Sequence, residues 1–406
     1  SMDLMYVNLW KTLVADFQTH LGEDFAEDLK PLISSIKDFR MAKLPSYNLS
    51  PYYYFKARYQ VENLFKRVCF TDDAYTEEER RENCFSSFKE TQKRLPCRRP
   101  SSERVHRVLS IARSHARRIL GNYDPIEHAS LCRFGKRATV GNSLRKSYLH
   151  EKLSSPISGS RDHIKWFKNH LTNDLLLREA IRECSKSEPT FSECEALVLT
   201  GVPKSWKTFR CIMPNTTIGS FYSSGLGLMF RRRLRGEGLN INYLQDKHKT
   251  LARKFSASRS HVTADLSAAS DSITSWLLNS ILPREWYNAV KLGRISYARI
   301  GSEKYFLSSF MTMGIGFTFE LETLVFYCLL KAIKDLVASS GIISVYGDDL
   351  IYPTSMHPYV SKIFNDVGFI LNQDKTFVFQ SFRESCGGDY YCGFDVRPFQ
   401  LEAVCR

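Results

Sequence analysis

The stretch SVYGDDLIYP, Ser344–Pro353, sets two adjacent aspartates beside a glycine between apolar, β-prone runs. Ile342, Ile343 and Val345 on one side and Leu350, Ile351 and Tyr352 on the other read as two short strands. The segment therefore predicts a β-hairpin whose turn lies at or beside Gly347 and whose tip carries Asp348 and Asp349. A solvated turn can hold such a pair. Anywhere drier, two like charges side by side repel one another, and the rest of the chain must compensate them.

A second acidic segment supplies the context. In HVTADLSAASDSITSW, His261–Trp276, a strand-like run ends at Asp265, and Asp271 follows after five short residues where a helix begins. Asp271 taken singly fits a helix N-cap. Asp265 has no such ordinary role. A strand ending at Asp265 beside the hairpin would bring three carboxylates together, and bound divalent cations would relieve their repulsion. Oxygen donors without His or Cys suit Mg2+, with Mn2+ as a substitute, and two such ions are the usual apparatus of in-line phosphoryl transfer.

Charge points the same way. The formal net of +14 suggests a polyanionic partner, most often nucleic acid, against the alternative of a solvated basic surface. The basic residues are clustered at Lys89–Arg118, at Cys132–Lys152 and in FRRRLRG, Phe230–Gly236, with aromatics between them. Such clusters suit a channel that neutralises phosphates. A hydrophobic content of 43% with 25% charged residues is that of a soluble globular protein, and no apolar run is long enough to cross a bilayer, so no membrane association is expected. Eleven scattered cysteines without a C-x-x-C pair indicate neither a zinc site nor a disulfide framework, and reduced thiols are expected.

Along the chain, the first third reads mainly helical, as in VHRVLSIARSHARRIL, with a break at Asn122–Pro125. The stretch SSPISGS, Ser154–Ser160, reads as the clearest loop. The C-terminal half alternates strand and helix, including a long helix opened by Thr318. Lys204, Lys207 and Arg210, spaced three apart in VPKSWKTFR, suit either the phosphates of one triphosphate or a plain basic loop. Gly314 and Gly316 allow close backbone approach, to a nucleotide or simply within a loop before a helix. Lys375 by itself reads as a solvated loop lysine.

Taken in order, these segments resemble a viral RNA-dependent RNA polymerase, and specifically the replicase subunit of single-stranded RNA bacteriophages, the leviviruses. The resemblance runs from about Leu131 to Phe399. HVTADLSAASDS is similar to the family's first palm motif, TMGIGFTFELETLVF (Thr312–Phe326) to the second and YGDD to the third, while Lys375 of NQDKTF occupies the fourth. FRESCGGDYYCGFDVRPF, Phe382–Phe399, resembles the fifth motif in a phage-like form. VPKSWKTFR resembles the basic finger motif that meets triphosphates, and CRFGKRATVGN a neighbouring basic loop.

The resemblance implies an α+β right-hand polymerase with fingers, palm and thumb: an N-terminal region and mostly helical basic fingers over 1–255, an antiparallel palm sheet over 256–382, and a palm–thumb junction over 383–406. It implies template-directed RNA synthesis from NTPs, primer-independent initiation, and catalysis by Asp265, Asp348 and Asp349 around two Mg2+ ions. Lys375 would protonate pyrophosphate. Lys204, Lys207, Arg210, Asp271, Gly314, Gly316 and Thr318 would contact substrate. Expected partners are RNA template and product, with host translation elongation factors and an RNA-binding host protein, in the cytoplasm of a bacterial host. Phage replicases generally continue past the fifth motif, whereas this sequence stops at Arg406, so a short or incomplete thumb is expected. A reverse transcriptase is the nearest rival, but LSAAS at Leu266–Ser270 lacks the bulky aromatic that excludes a 2′-hydroxyl, leaving Asp271 free to accept from it. Glu322 stands where many positive-strand RNA virus polymerases have Asn. A non-catalytic RNA-binding protein on this fold would be expected to have lost one of the acids.

Overall fold

The computed structural model describes residues 2–27, 29, 36–42, 46–70, 73–154 and 156–401. Local chemistry sets the helices. Helix α1 is Tyr52–Asn63, and α2, Glu77–Arg94, opens on Thr76, whose hydroxyl accepts from the Glu79 backbone N–H while the Glu79 carboxylate accepts from that of Thr76. Helix α3, Glu103–Leu120, is capped by Ser102 and ended by Gly121; Val105, Val108, Leu109, Ala112, Ala116 and Ile119 recur on one face and are buried. Strands β1, Thr200–Pro203, and β2, Phe209–Ile212, form an antiparallel hairpin. Helices α4, Thr217–Gly236, and α5, Ile241–Ser258, lead into strand β3, His261–Ser267. Helix α6 is Ser275–Ile281, and α7, Thr318–Leu336, is buried along most of its length. Strands β4, Ser344–Tyr346, β5, Asp349–Pro353, and β6, Ile370–Leu371, follow, and β7, Phe382–Ser385, β8, Gly388–Tyr391, and β9, Phe394–Asp395, end the order.

The central sheet has strand order β6-β3-β5-β4, antiparallel throughout. The glycine turn forms as the sequence suggests: Asp349 pairs with Tyr346, leaving Gly347 and Asp348 as the loop, and Gly347 takes φ +58°. Its N–H donates to Thr323 Oγ1 of α7 at 2.9 Å, which ties the turn to the helix beneath. Val262, Ala264, Val345, Leu350 and Tyr352 from the sheet share one core with Leu321, Leu324, Val325 and Leu329 of α7 and with the apolar face of α3. Each fully buried side chain of this kind contributes roughly 1.5–3 kcal/mol.

Strands β7, β8 and β9 make a second antiparallel sheet that packs on α5 and touches β3. Arg383, fully buried on β7, bolts it there by donating to the carbonyls of His261, Val378, Gln380 and Phe382. Helix α1 closes on the same sheet. Phe55 stacks on Tyr391 with centroids 4.1 Å apart, and the Tyr391 hydroxyl donates to the carbonyls of Asn48 and Ser50. Gln60 exchanges two hydrogen bonds with the Phe399 backbone, and Leu401 N–H donates to Leu64 O.

Two expectations are corrected. Ser154–Ser160 is not an open loop: Ile157–Gly159 is a buried strand paired with Phe191–Glu193, and the Ser160 hydroxyl caps the following helix, so its small residues serve packing and capping. Ser155 lies outside the described residues. The cysteines are also not all free, because Cys84 of α2 and Cys211 of β2 are paired as a disulfide. They lie 127 positions apart, and only the packing of α2 on β2 brings their Cα atoms to 6.3 Å. Among the described residues no helix is long and apolar enough to cross a membrane.

Candidate active site

The register of β3 against β5 sets Asp265 directly opposite Asp349. Cross-strand neighbours share one face of a sheet, with Cβ atoms roughly 4.5–5.5 Å apart. Asp348, in the two-residue turn, completes the trio, so segments widely separated in sequence meet at one end of the sheet. The electrostatics register the crowding. Burial, then the Asp265 charge, pushes the Asp348 carboxyl up to about 6. Burial, then Asp348, Glu384 and Asp265, pushes Asp349 up to about 7. Asp349 also accepts from Ser385 Oγ at 3.4 Å and from Cys386 Sγ at 3.5 Å, and Ser385 in turn bonds His248 Nδ1 at 2.9 Å.

Lys375 provides the nearest countercharge. It lies in a short 3-10 turn, Gln373–Lys375, with its Nζ 3.5 Å from Asp265 Oδ2, and the Asn372 side-chain amide donates to the same oxygen at 3.1 Å. Burial lowers the Lys375 pKa, but Glu384, Asp265, Asp349 and Asp348 outweigh it, and the net shift is upward. The ammonium is thereby held protonated. From the other side, Lys204 reaches the same cluster out of the turn between β1 and β2. Desolvation, then Arg210 and Lys375, lowers its pKa, against the pull of Asp265 and Asp348. Arg210 stands on β2 opposite Val202 and is exposed, as is Lys207 in the turn.

Asp271 sits in the 3-10 turn Ser270–Ser272 and does not cap the next helix, a role taken by the Thr274 hydroxyl. Burial pushes its carboxyl up to about 7. Its acidic neighbour is Glu322 on α7, whose own pKa is raised well above the ordinary range by burial, then by Asp348 and Asp271. The two remaining glycines and the threonine are fixed by protein contacts. Gly314 takes φ +130°, and a Cβ there would overlap the Met213 carbonyl. The Gly316 N–H donates to Ser223 Oγ of α4 at 3.1 Å, and Thr318 Oγ1 donates to Thr312 O at 2.9 Å. The space at these glycines is filled by the chain itself.

Glu384 on β7 was not foreseen. It joins Asp265 and Asp349 because Arg383 anchors the strand beside β3; the sequence signal was a charged pair, Arg383-Glu384, inside an otherwise short-residue run. Burial raises its carboxyl, and Lys375 opposes the rise.

The cluster suits a divalent cation in its donor chemistry and in its uncompensated charge. Its acceptors are all carboxylate oxygens, and burial first, then their mutual repulsion, lifts Asp348 and Asp349. Among the described residues no three acidic, His or Cys side chains already close around one point as ligands. The arrangement is therefore an acidic end of a sheet with Lys204 and Lys375 beside it, and Arg210 next to Lys204.

Comparison with known proteins gives a consistent answer. The family described as RNA replicase, beta-chain, matches residues 32–404. The chain is 32% identical over 301 residues to the RNA-directed RNA polymerase beta chain of Escherichia phage MS2, covering 72% of this chain and 54% of that protein. It is 33% identical over 300 residues to the RNA-directed RNA polymerase subunit beta of Escherichia virus Qbeta, covering 72% and 48%. It thus spans about half the length of the curated relatives it matches. Among solved structures, an insertion-loop deletion mutant of the RNA-dependent RNA polymerase of a human picobirnavirus superposes with a TM-score of 0.53 at 13% identity, over 94% of this chain and 71% of that one. That likeness is one of fold.

Proposed function

Because the chain belongs to the RNA replicase beta-chain family, we propose that it performs template-directed RNA synthesis from NTPs during replication of a phage RNA genome. The observation that carries this is the meeting of Asp265, Asp348 and Asp349 at one end of an antiparallel sheet, faced by Lys204 and Lys375. In this reading the central sheet and α7 are a polymerase palm, and the β1–β2 hairpin is part of basic fingers.

Asp265, Asp348 and Asp349 would hold two Mg2+ ions, or Mn2+, which when bound supply Lewis-acid activation of a 3′-hydroxyl and neutralise the departing pyrophosphate. The side chains of the chain itself do the rest. Lys204 and Arg210, with Lys207 on the exposed turn, bind the triphosphate and hold it toward the carboxylates. Lys375, kept protonated by its acidic neighbours, delivers a proton to the pyrophosphate oxygen. The short residues Leu266–Ser270 leave room for a ribose 2′-hydroxyl, and Asp271 accepts its hydrogen bond. Gly314, Gly316 and Thr318 act indirectly by locking the segment before α7 against β2 and α4. Template pairing selects the nucleotide, synthesis starts without a primer, and host elongation factors and an RNA-binding host protein assist in the bacterial cytoplasm.

The test is a template-directed assay with labelled NTPs or dNTPs, with and without Mg2+, comparing the parent with Asp348→Asn. The variant retains RNA binding and loses synthesis; equal synthesis by both proteins refutes the assignment.

A further inference from the structure

The cations of α3 divide into two sets. Arg113 donates to the carbonyls of Asn279 and Ser280, His115 meets Asp335 at 2.6 Å, and Arg118 forms a two-pronged pair with Glu237 at 2.7 Å. These fasten the helix to its neighbours. Arg104, Arg107 and Arg117 do none of this: each is exposed, and among the described residues none of their side chains makes a hydrogen bond or an ion pair. Arg98 and Arg99, in the segment leading into the helix, are exposed and unpaired in the same sense.

They spread over the solvent side of the helix, which also carries one acid, Glu103, in its first turn. Between Arg104 and Arg118 the sequence VHRVLSIARSHAR contains no acidic residue, and no large apolar side chain of α3 is exposed. At about 1.5 Å per residue, Arg104 and Arg117 stand roughly 20 Å apart along the helix. The apolar face of α3 packs mainly on α7, α6 and α4; β3 and β5, which carry the catalytic carboxylates, are not among its main partners. The ridge thus points to solvent from a helix outside the active-site cleft.

We propose that this arginine ridge is a second RNA-binding surface, which holds the phosphate backbone of a strand at a distance from the catalytic carboxylates. Guanidinium groups grip phosphate oxygens two at a time, and a row of them matches a row of phosphodiesters. An acidic protein partner fits less well, because stable protein interfaces need an apolar or aromatic anchor at their centre and this face offers none. A tether of this kind raises the local concentration of a long template at the cleft without reading its sequence.

The experiment measures binding of polyuridylate to the full chain and to Arg104→Ala/Arg107→Ala/Arg117→Ala across a range of salt. Loss of three phosphate contacts flattens the slope of log affinity against log salt by about 2 and weakens binding on the order of 10- to 100-fold near 0.1 M salt. The corresponding triple Lys variant keeps most of the slope. Unchanged affinity and slope in the Ala variant, with an unaltered melting temperature, overturn the proposal. Displacement of the RNA by polyglutamate at equal charge concentration also overturns it, in favour of an acidic protein. The readout needs no nucleotide incorporation, so it stands or falls separately from the polymerase reading.

Discussion

Asp265 and Asp349 face one another across the β3–β5 ladder, each an acid on the same side of the sheet, with Asp348 at the adjoining turn. A backbone hydrogen bond to the Asp348 carboxylate relieves a little of the crowding. Lys375 and Lys204 relieve part of it, while burial, with the remaining repulsion, keeps Asp348 and Asp349 raised.

Burial of these carboxylates, with their repulsion, makes stability depend on pH. Asp348 at about 6 and Asp349 at about 7 in the folded state compare with roughly 3.9 unfolded. Raised carboxylates contribute stability that is complete below the unfolded value and lost as pH climbs through the folded one. Buried His128 and His163, lowered to about 4 by desolvation, have the opposite sign: their contribution is present above about 6.5 and lost on acidification. The carboxylate part is isolated by comparing the parent with Asp349→Asn. In EDTA the parent loses on the order of 1–3 kcal/mol relative to the variant between about pH 4 and 8, and Mg2+ restores it most at the alkaline end. Thermal melts over pH check this; parallel profiles for the two proteins remove the argument.

Lys204 of the β1–β2 hairpin is coupled electrostatically to Asp265 and Asp348, and Arg210 stands beside it. Replacing both with Ala raises the KM for NTP on the order of tenfold, with a smaller change in kcat. Steady-state incorporation kinetics decide it, and an unchanged KM withdraws their role in holding the triphosphate.

Gly314→Ala tests the loop before α7. The new methyl group meets the Met213 carbonyl at a backbone φ of +130°, so stability falls by about 2 kcal/mol or more. Gly135 has open space where a Cβ would stand and no positive φ, so Gly135→Ala is the matched neutral change. Urea unfolding of the pair distinguishes them.

Arg383→Met removes the donor for four carbonyls at once, those of His261, Val378, Gln380 and Phe382. The loss is about 3 kcal/mol or more, and Arg383→Lys recovers little of it, because an ammonium cannot spread over the same fork. Chemical denaturation gives the values; a loss below about 1 kcal/mol for either variant contradicts the bolt assigned to this residue.

Much of this was legible in the sequence, for identifiable reasons. The hairpin at Gly347 and the strand carrying Asp265 are local patterns of apolar runs and a turn residue, although that strand runs on to Ser267 rather than ending at Asp265. Glu384 escaped notice because its position depends on Arg383 reaching the carbonyl of His261, a contact between distant segments that no local period encodes. Ser154–Ser160 misled for the opposite reason: serine and glycine mark loops by composition, but they also fill tight spaces and cap helices, and only the packing distinguishes the cases. The Cys84–Cys211 pair was hidden by its separation along the chain.

The stacking of Phe55 on Tyr391, with Tyr391 bonded to the carbonyls of Asn48 and Ser50, bears on how the protein comes off the ribosome. Helix α1 is translated more than 300 residues before the sheet that receives it. Until that sheet has emerged the aromatic face of α1 has no seat, and β7, with Glu384, lacks its outer cover. A nascent chain is thus held short of its working conformation until that sheet has emerged, and assembly of the acidic cluster waits on it.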